Sequence, residues 1–120
     1  MSSEQERKKY LDMDTALSRV RGNKKLYHKM LGLFLNNEEF GKLDKSLEEK
    51  DYVSAGHAAH GVKGMTGNLA LTLLFEKSTL LMDQMRNGDA PTPSSVEEYY
   101  DVLEQTRTIV KEVIEEIDLG

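Results

Sequence analysis

Residues 56–68 read GHAAHGVKGMTGN, which places four glycines and two histidines in a stretch whose flanking apolar spacing predicts a helix. Each glycine inside a helix costs roughly 1 kcal/mol relative to alanine. Four such residues therefore oppose the helix that their surroundings favour. We infer that these glycines serve something other than stability.

The histidines and three of the glycines share one side of the predicted helix. At about 100° per residue, the residues within about 60° of His60 are Val53, Gly56, His57, Lys63, Gly64 and Gly67. The opposite side carries Ala55, Ala58, Val62, Met65 and Leu69. The apolar side is expected to face a core, so His60 is expected to be exposed to solvent.

The composition indicates a single small domain. The chain has 120 residues, no cysteine and a net charge of −5, which suits one core and excludes disulfides and thiolate metal sites. Met1 to Lys9 is polar, and no run approaches the roughly 20 apolar residues of a membrane span. We expect a cytoplasmic protein that binds neither membranes nor nucleic acid. A local basic cluster, interpreted as a solvated helix face, consists of Arg19, Arg21, Lys24, Lys25 and Lys29.

Apolar spacing predicts one short helix followed by four substantial helices. The predicted elements are Asp12 to Arg21, Lys24 to Glu49, a histidine helix capped by Asp51, a helix containing Leu73 to Met85 that ends near Asn87-Gly88, and a last helix that reaches the C-terminus. Asn36-Asn37 could bend or interrupt the longest of them. Ser94 and Glu97 predict a capping box at the start of the last helix, after the break at Pro91-Thr92-Pro93.

These helices predict an all-α fold, an antiparallel up-and-down four-helix bundle with a short extra N-terminal helix. Residues 1–11 are interpreted as a polar extension and residues 12–120 as one domain. A monomer is expected, because one bundle buries its own apolar stripes.

An exposed histidine with a lysine one turn later suits phosphoryl transfer. A neutral imidazole nitrogen is a nucleophile, and the ammonium of Lys63 disfavours a second positive charge beside it. The same ammonium could pair with an arriving phosphoryl group, while glycines at 56, 64 and 67 leave room for a second protein. The chain contains no nucleotide-binding glycine loop. It therefore reads as half of an active site, a phosphocarrier without self-sufficient catalysis.

The motif of His60, two residues, Lys63 and Gly64 resembles that of the histidine-containing phosphotransfer domains of two-component phosphorelays. Residues 12–34, with Ala16-Leu17, Gly22-Asn23 and Leu26-Tyr27, also resemble the N-terminal segment of that family, and Lys50-Asp51-Tyr52 resembles its entry into the histidine helix. The similarity covers about Asp12 to Asp89. It implies that His60 is the phosphoacceptor, Lys63 the neighbouring cation and Gly64 the residue that permits close approach.

The resemblance also implies the partners. They would be response-regulator receiver domains, which supply an aspartate and bind magnesium, and possibly a hybrid histidine kinase; the chain itself would hold no cofactor. A free-standing carrier is the expectation. The family often places Gln or Glu near the imidazole, where this sequence has Met82, so Gln84 and Arg86 are the candidate substitutes.

Two other interpretations remain open. His57 and His60 stand one turn apart and could touch one metal ion, but no acidic residue within a turn completes a site, so His57 is interpreted as part of the docking surface. A non-catalytic helical adaptor or dimerisation module, which would use the glycine-rich face for close helix contact, is the alternative function.

Overall fold

Seven α-helices account for most of the structure. The computed structural model describes residues 4–117 and 119, and this part of the chain is 79% helix without strands. In chain order the helices are α1 (Glu4–Tyr10), α2 (Met13–Arg19), α3 (Lys24–Leu35), α4 (Glu38–Glu48), α5 (Tyr52–Asn68), α6 (Thr72–Gln84) and α7 (Pro93–Glu116). The predicted all-α class is confirmed. Over the described residues, no helix has the length and apolar character needed to cross a membrane.

The prediction of one continuous helix from Lys24 to Glu49 is wrong, because the chain breaks at Asn36-Asn37 into α3 and α4. The Asn37 side chain accepts a hydrogen bond from the backbone N–H of Glu39 at 2.8 Å and so caps α4. The amide of Asn36 donates to the carbonyl of Gly32 at 3.1 Å in the last turn of α3. Asparagine side chains compete with helical backbone bonds in this way, which explains the break.

The predicted capping box of Ser94 and Glu97 is also wrong. Thr92 caps α7, and its hydroxyl accepts a hydrogen bond from the backbone N–H of Ser95 at 3.3 Å. Pro93 follows as the first residue of the helix, where its fixed φ is favourable and its missing N–H costs nothing. The helix therefore begins before Ser94. At the preceding connection, α6 ends at Gln84, three residues before the predicted end near Asn87.

The segment 1–11, interpreted as a polar extension, contains the helix α1, which the sequence analysis did not predict. α1 packs against α6 and α7. Arg7 binds Glu116 of α7 with an Nη2–Oε2 distance of 2.7 Å, and this hydrogen bond holds the pKa of Glu116 below its ordinary value. Leu11, which follows α1, is only 4% exposed. A charged pair and one buried leucine thus attach a largely polar helix to the core.

Neighbouring helices pack around one apolar core. α5 packs against α4 and α6, α6 packs also against α7, and α7 packs against α3. The largest fully buried side chains include Tyr27, Tyr99, Phe34, Leu31 and Leu71. α5 contributes mostly small side chains to this core, namely those of Ala55, Ala58, Ala59, Val62 and Thr66. Its opposite side is consequently left at the surface.

Candidate functional site on the surface of α5

α5 is fixed at both of its ends. At its start, the predicted cap is confirmed: Asp51 accepts hydrogen bonds from the backbone N–H and the hydroxyl of Ser54, at 3.2 and 2.8 Å. These two bonds hold the pKa of Asp51 below its ordinary value. At its end, the guanidinium of Arg19 donates to the carbonyls of Gly67 and Asn68. The last carbonyls of a helix have no helical partner, so α2 supplies one.

The prediction that His60 is exposed is confirmed. His57, His60 and Gly64 are all exposed on the outer side of α5. The neighbours Ala58, Ala59 and Val62 are buried on the other side. The small residues seat the helix in the core and hold the His60 ring out into solvent, where another protein can reach it.

A surface groove, which we name the α5–α6 groove, runs beside His60. Its lining residues are Val53, Gly56, His57, His60, Met82, Met85 and Arg86. Among these residues, Val53 is 59% exposed, whereas Met85 is only 1% exposed. His60 therefore stands at the edge of an apolar depression. The family resemblance implied that Met82 lies near the imidazole, and Met82 and His60 do line the same groove.

Gln84 and Arg86, the two candidates for a polar group near the imidazole, lie in different surroundings. The amide of Gln84 donates to the hydroxyl of Ser95 at 3.0 Å and accepts from the backbone N–H of Thr92 at 3.0 Å. Gln84 thus holds the connection between α6 and α7. Arg86 lines the α5–α6 groove with His60, and its Nη2 donates to Asp83 at 2.7 Å. Of the two, Arg86 is the group that shares a surface with the imidazole.

Lys63 lies one helical turn after His60 and is partly buried. Its Nζ lies 5.9 Å from the centroid of the Phe75 ring of α6, a distance at which an ammonium is attracted to an aromatic face. Side chains three residues apart on a helix are neighbours, so Lys63 can also approach a group carried by His60. Sequence reasoning missed Phe75, because helical spacing does not say which residue of α6 faces α5.

The four glycines of α5 have different surroundings. A Cβ atom at Gly67 would lie 3.3 Å from the Phe75 ring, and one at Gly61 would lie 3.2 Å from the Glu39 side chain. A Cβ at Gly56 would make ordinary contact with Met85, 3.6 Å from its carbonyl oxygen. A Cβ at Gly64 would meet nothing within 4 Å. Close neighbours explain the missing side chains at Gly61 and Gly67, a Cβ could be accommodated at Gly56, and Gly64 alone of the four has open space beside it.

His57 lies on the ridge between two grooves. It lines the α5–α6 groove and also a groove between α4 and α5 that includes Lys42, Lys45 and Asp51. Both lysines have acidic partners, since Lys42 binds Glu38 and Glu39 and Lys45 approaches Glu49 within 4 Å. Within residues 4–117 and 119, no three His, Asp or Glu side chains come together as a metal site would require.

Comparison of the chain with models of known protein families, with curated proteins and with solved structures gives no match. The functional interpretation therefore depends on the exposure, the spacing and the surroundings of His60, Lys63 and Gly64.

Proposed function

We propose that the protein is a phosphorelay intermediate of the histidine-containing phosphotransfer type. It accepts a phosphoryl group on His60 from the aspartyl phosphate of a receiver domain and passes it to another receiver domain. One observation carries the proposal: the exposed imidazole stands one turn from an open Gly64, at the edge of an apolar groove that also holds Arg86. These features give a nucleophile room to meet a second protein.

In the proposed step, the neutral imidazole of His60 is the nucleophile. The lone pair of Nε2 forms the N–P bond while the P–O bond to the receiver aspartate breaks and the carboxylate leaves. Nδ1 keeps its proton until solvent removes it. The ammonium of Lys63 would balance charge on the phosphoryl oxygens. Magnesium belongs to the receiver in this proposal, and it needs no ligand from this chain.

The proposal includes the finer architecture. Counting α3 and α4 together as one broken helix, we propose an antiparallel up-and-down four-helix bundle completed by α5, α6 and α7. The packing of α4 on α5, α5 on α6, α6 on α7 and α7 on α3 supports this order. A monomer in the cytoplasm, where it would meet receiver domains or a hybrid histidine kinase, is part of the same proposal.

The adaptor or dimerisation module has less support from the glycines. Close contact with a foreign helix is favoured by small residues that recur along one side of a helix. Gly56 and Gly67 already face Met85 and Phe75 of the same chain, which leaves Gly64 alone. A partly buried Lys63 would also lie at the centre of such an apolar contact, where an unpaired charge is unfavourable.

The decisive experiment is transfer from phosphorylated receiver domains of the source organism to the purified protein. We expect label that is stable to base and labile to acid, and we expect none on His60→Gln. His57→Gln is the matched control, because His57 is also exposed and lies only one turn away; it should still accept label. Label that persists in His60→Gln, or that no receiver donates, would contradict the proposal.

Lys63→Ala is expected to slow transfer about tenfold, because one charge-assisted contact to the phosphoryl group is lost. Lys63→Arg keeps the charge and should retain most of the rate. Rapid-quench measurement of label on His60 gives the rates, and urea unfolding shows whether the fold is kept. Equal rates for Lys63→Ala and the native chain would remove the assigned role.

A further inference from the structure

One face of α3 is exposed, apolar and basic. Leu26 is 42% exposed and Leu33 is 60% exposed, seven residues apart and thus on the same side of the helix. Lys29 is exposed between them, Met30 is partly buried, and Lys25 borders the stripe. We name these five residues the α3 patch. α3 packs against α7 and α2, whereas α5 packs against α4 and α6, so the patch lies on a different helix from His60.

The charge around the α3 patch is opposite to that of the chain. Residues 15–37 hold five of the 16 Lys and Arg residues and none of the 21 Asp and Glu residues. Lys25 and Lys29 form no ion pair with any described residue, in contrast to Arg7, Lys42, Lys77 and Arg86 elsewhere. Lys24 shares a small groove with Glu116 and is left out of the patch for that reason.

The spacing of the α3 patch fits another helix. Single exposed leucines are ordinary on protein surfaces. Positions i, i+3, i+4 and i+7, however, form the seam along which one helix packs on a second. Leu26, Lys29, Met30 and Leu33 occupy these positions. The apolar part of the seam is therefore Leu26, Met30 and Leu33, and Lys29 and Lys25 lie along one side of it.

The charge of the unpaired lysines indicates which kind of partner could cover the α3 patch. A second copy of the chain on the same seam would bring lysines of like charge together, which opposes association. An anionic membrane is usually bound through clusters of four to eight basic residues, more than the seam presents. An acidic amphipathic helix would cover the two leucines and pair with Lys25 and Lys29. We propose that the α3 patch docks such a helix from a partner protein, independently of phosphotransfer at His60.

The test uses the full chain labelled with nitrogen-15 and a synthetic helical peptide with Leu at positions i, i+3 and i+7 and Glu beside them. We expect saturable chemical-shift changes centred on the α3 patch. Lys25→Glu combined with Lys29→Glu should weaken the affinity at least about tenfold, and so should Leu26→Ser combined with Leu33→Ser. Leu80→Ser and Lys111→Glu change exposed residues on α6 and α7 and should leave the affinity unchanged.

Several results would overturn the proposal. These are absence of peptide-induced shifts, equal binding of a peptide with the same composition in scrambled order, and shifts that lie outside α3. Tighter binding of phosphatidylserine vesicles to the same patch would indicate a membrane instead. Self-association that Leu33→Ser abolishes, seen by sedimentation, would indicate a second copy. None of these measurements involves His60, so their outcome is independent of the phosphorelay proposal.

Discussion

Gly64→Leu should make the protein more stable and at the same time prevent transfer from a receiver domain. Leucine favours the helix interior over glycine by about 0.8 kcal/mol, and a Cβ at Gly64 meets nothing within 4 Å. In the complex, the new side chain would stand one turn from the His60 imidazole in the path of the receiver. A displacement of about 1 Å between reacting groups can cost a hundredfold in rate, and we expect at least that loss.

The control for this experiment distinguishes a block to receiver docking from a loss of reactivity at His60. Phosphoramidate is a small donor that can reach an exposed imidazole without docking, so Gly64→Leu should still accept its phosphoryl group on His60. Gly32→Leu is the matched variant, since Gly32 lies inside α3 and its Cβ would also meet nothing within 4 Å. It should gain stability and transfer normally. If Gly64→Leu accepts phosphoryl groups from receivers at the native rate, the open glycine has no role in docking.

Gly67→Leu should have the opposite effect on stability, although Gly67 lies only three residues further along the same helix. A Cβ there would approach the Phe75 ring to 3.3 Å, and the rest of the leucine would need space that α6 occupies. Forcing extra atoms into a packed contact typically costs 1–3 kcal/mol. Leucine's helix preference returns about 0.8 kcal/mol here as well, so we expect the free energy of unfolding, measured in urea, to fall by about 1 kcal/mol.

A double-mutant cycle identifies the cause. In a Phe75→Ala background the ring is absent, and Gly67→Leu should then cost much less than in the native chain. A cost that is the same in both backgrounds would show that the ring is not the obstacle. The pair Gly64→Leu and Gly67→Leu would therefore distinguish a glycine that leaves space for the proposed partner from one that leaves space for Phe75.

Much of the fold was predictable from local signals. Asp51 was expected at a helix start because its short polar side chain caps backbone N–H groups, and it does so. The break at Asn36-Asn37 was foreseen only as an option, because the same asparagines can also be accommodated within a bent helix. The helix α1 was missed because its stability depends on Arg7 and Leu11 meeting distant parts of the chain, which no local pattern reveals.

The candidate site was predictable to the extent that it lies on one helix. Helical geometry alone gave the exposure of His60 and the side on which Lys63 and Gly64 lie. Contacts between helices could not be obtained in this way. The engagement of Gln84 with Ser95 depends on how α6 meets α7. The position of the Phe75 ring beside Gly67 likewise depends on the register of α5 against α6, which the sequence does not determine.

The hydrogen bonds at the two ends of α5, made by Asp51 at its start and by Arg19 at its end, bear on how the proposed phosphorylated form of the protein would be recognised. A segment held in this manner has little freedom to change shape when its histidine is modified. Any protein that distinguishes phosphorylated from unphosphorylated His60 would then have to contact the phosphoryl group directly. In the proposed relay, the backbone of α5 would therefore have the same shape with and without a phosphoryl group on His60.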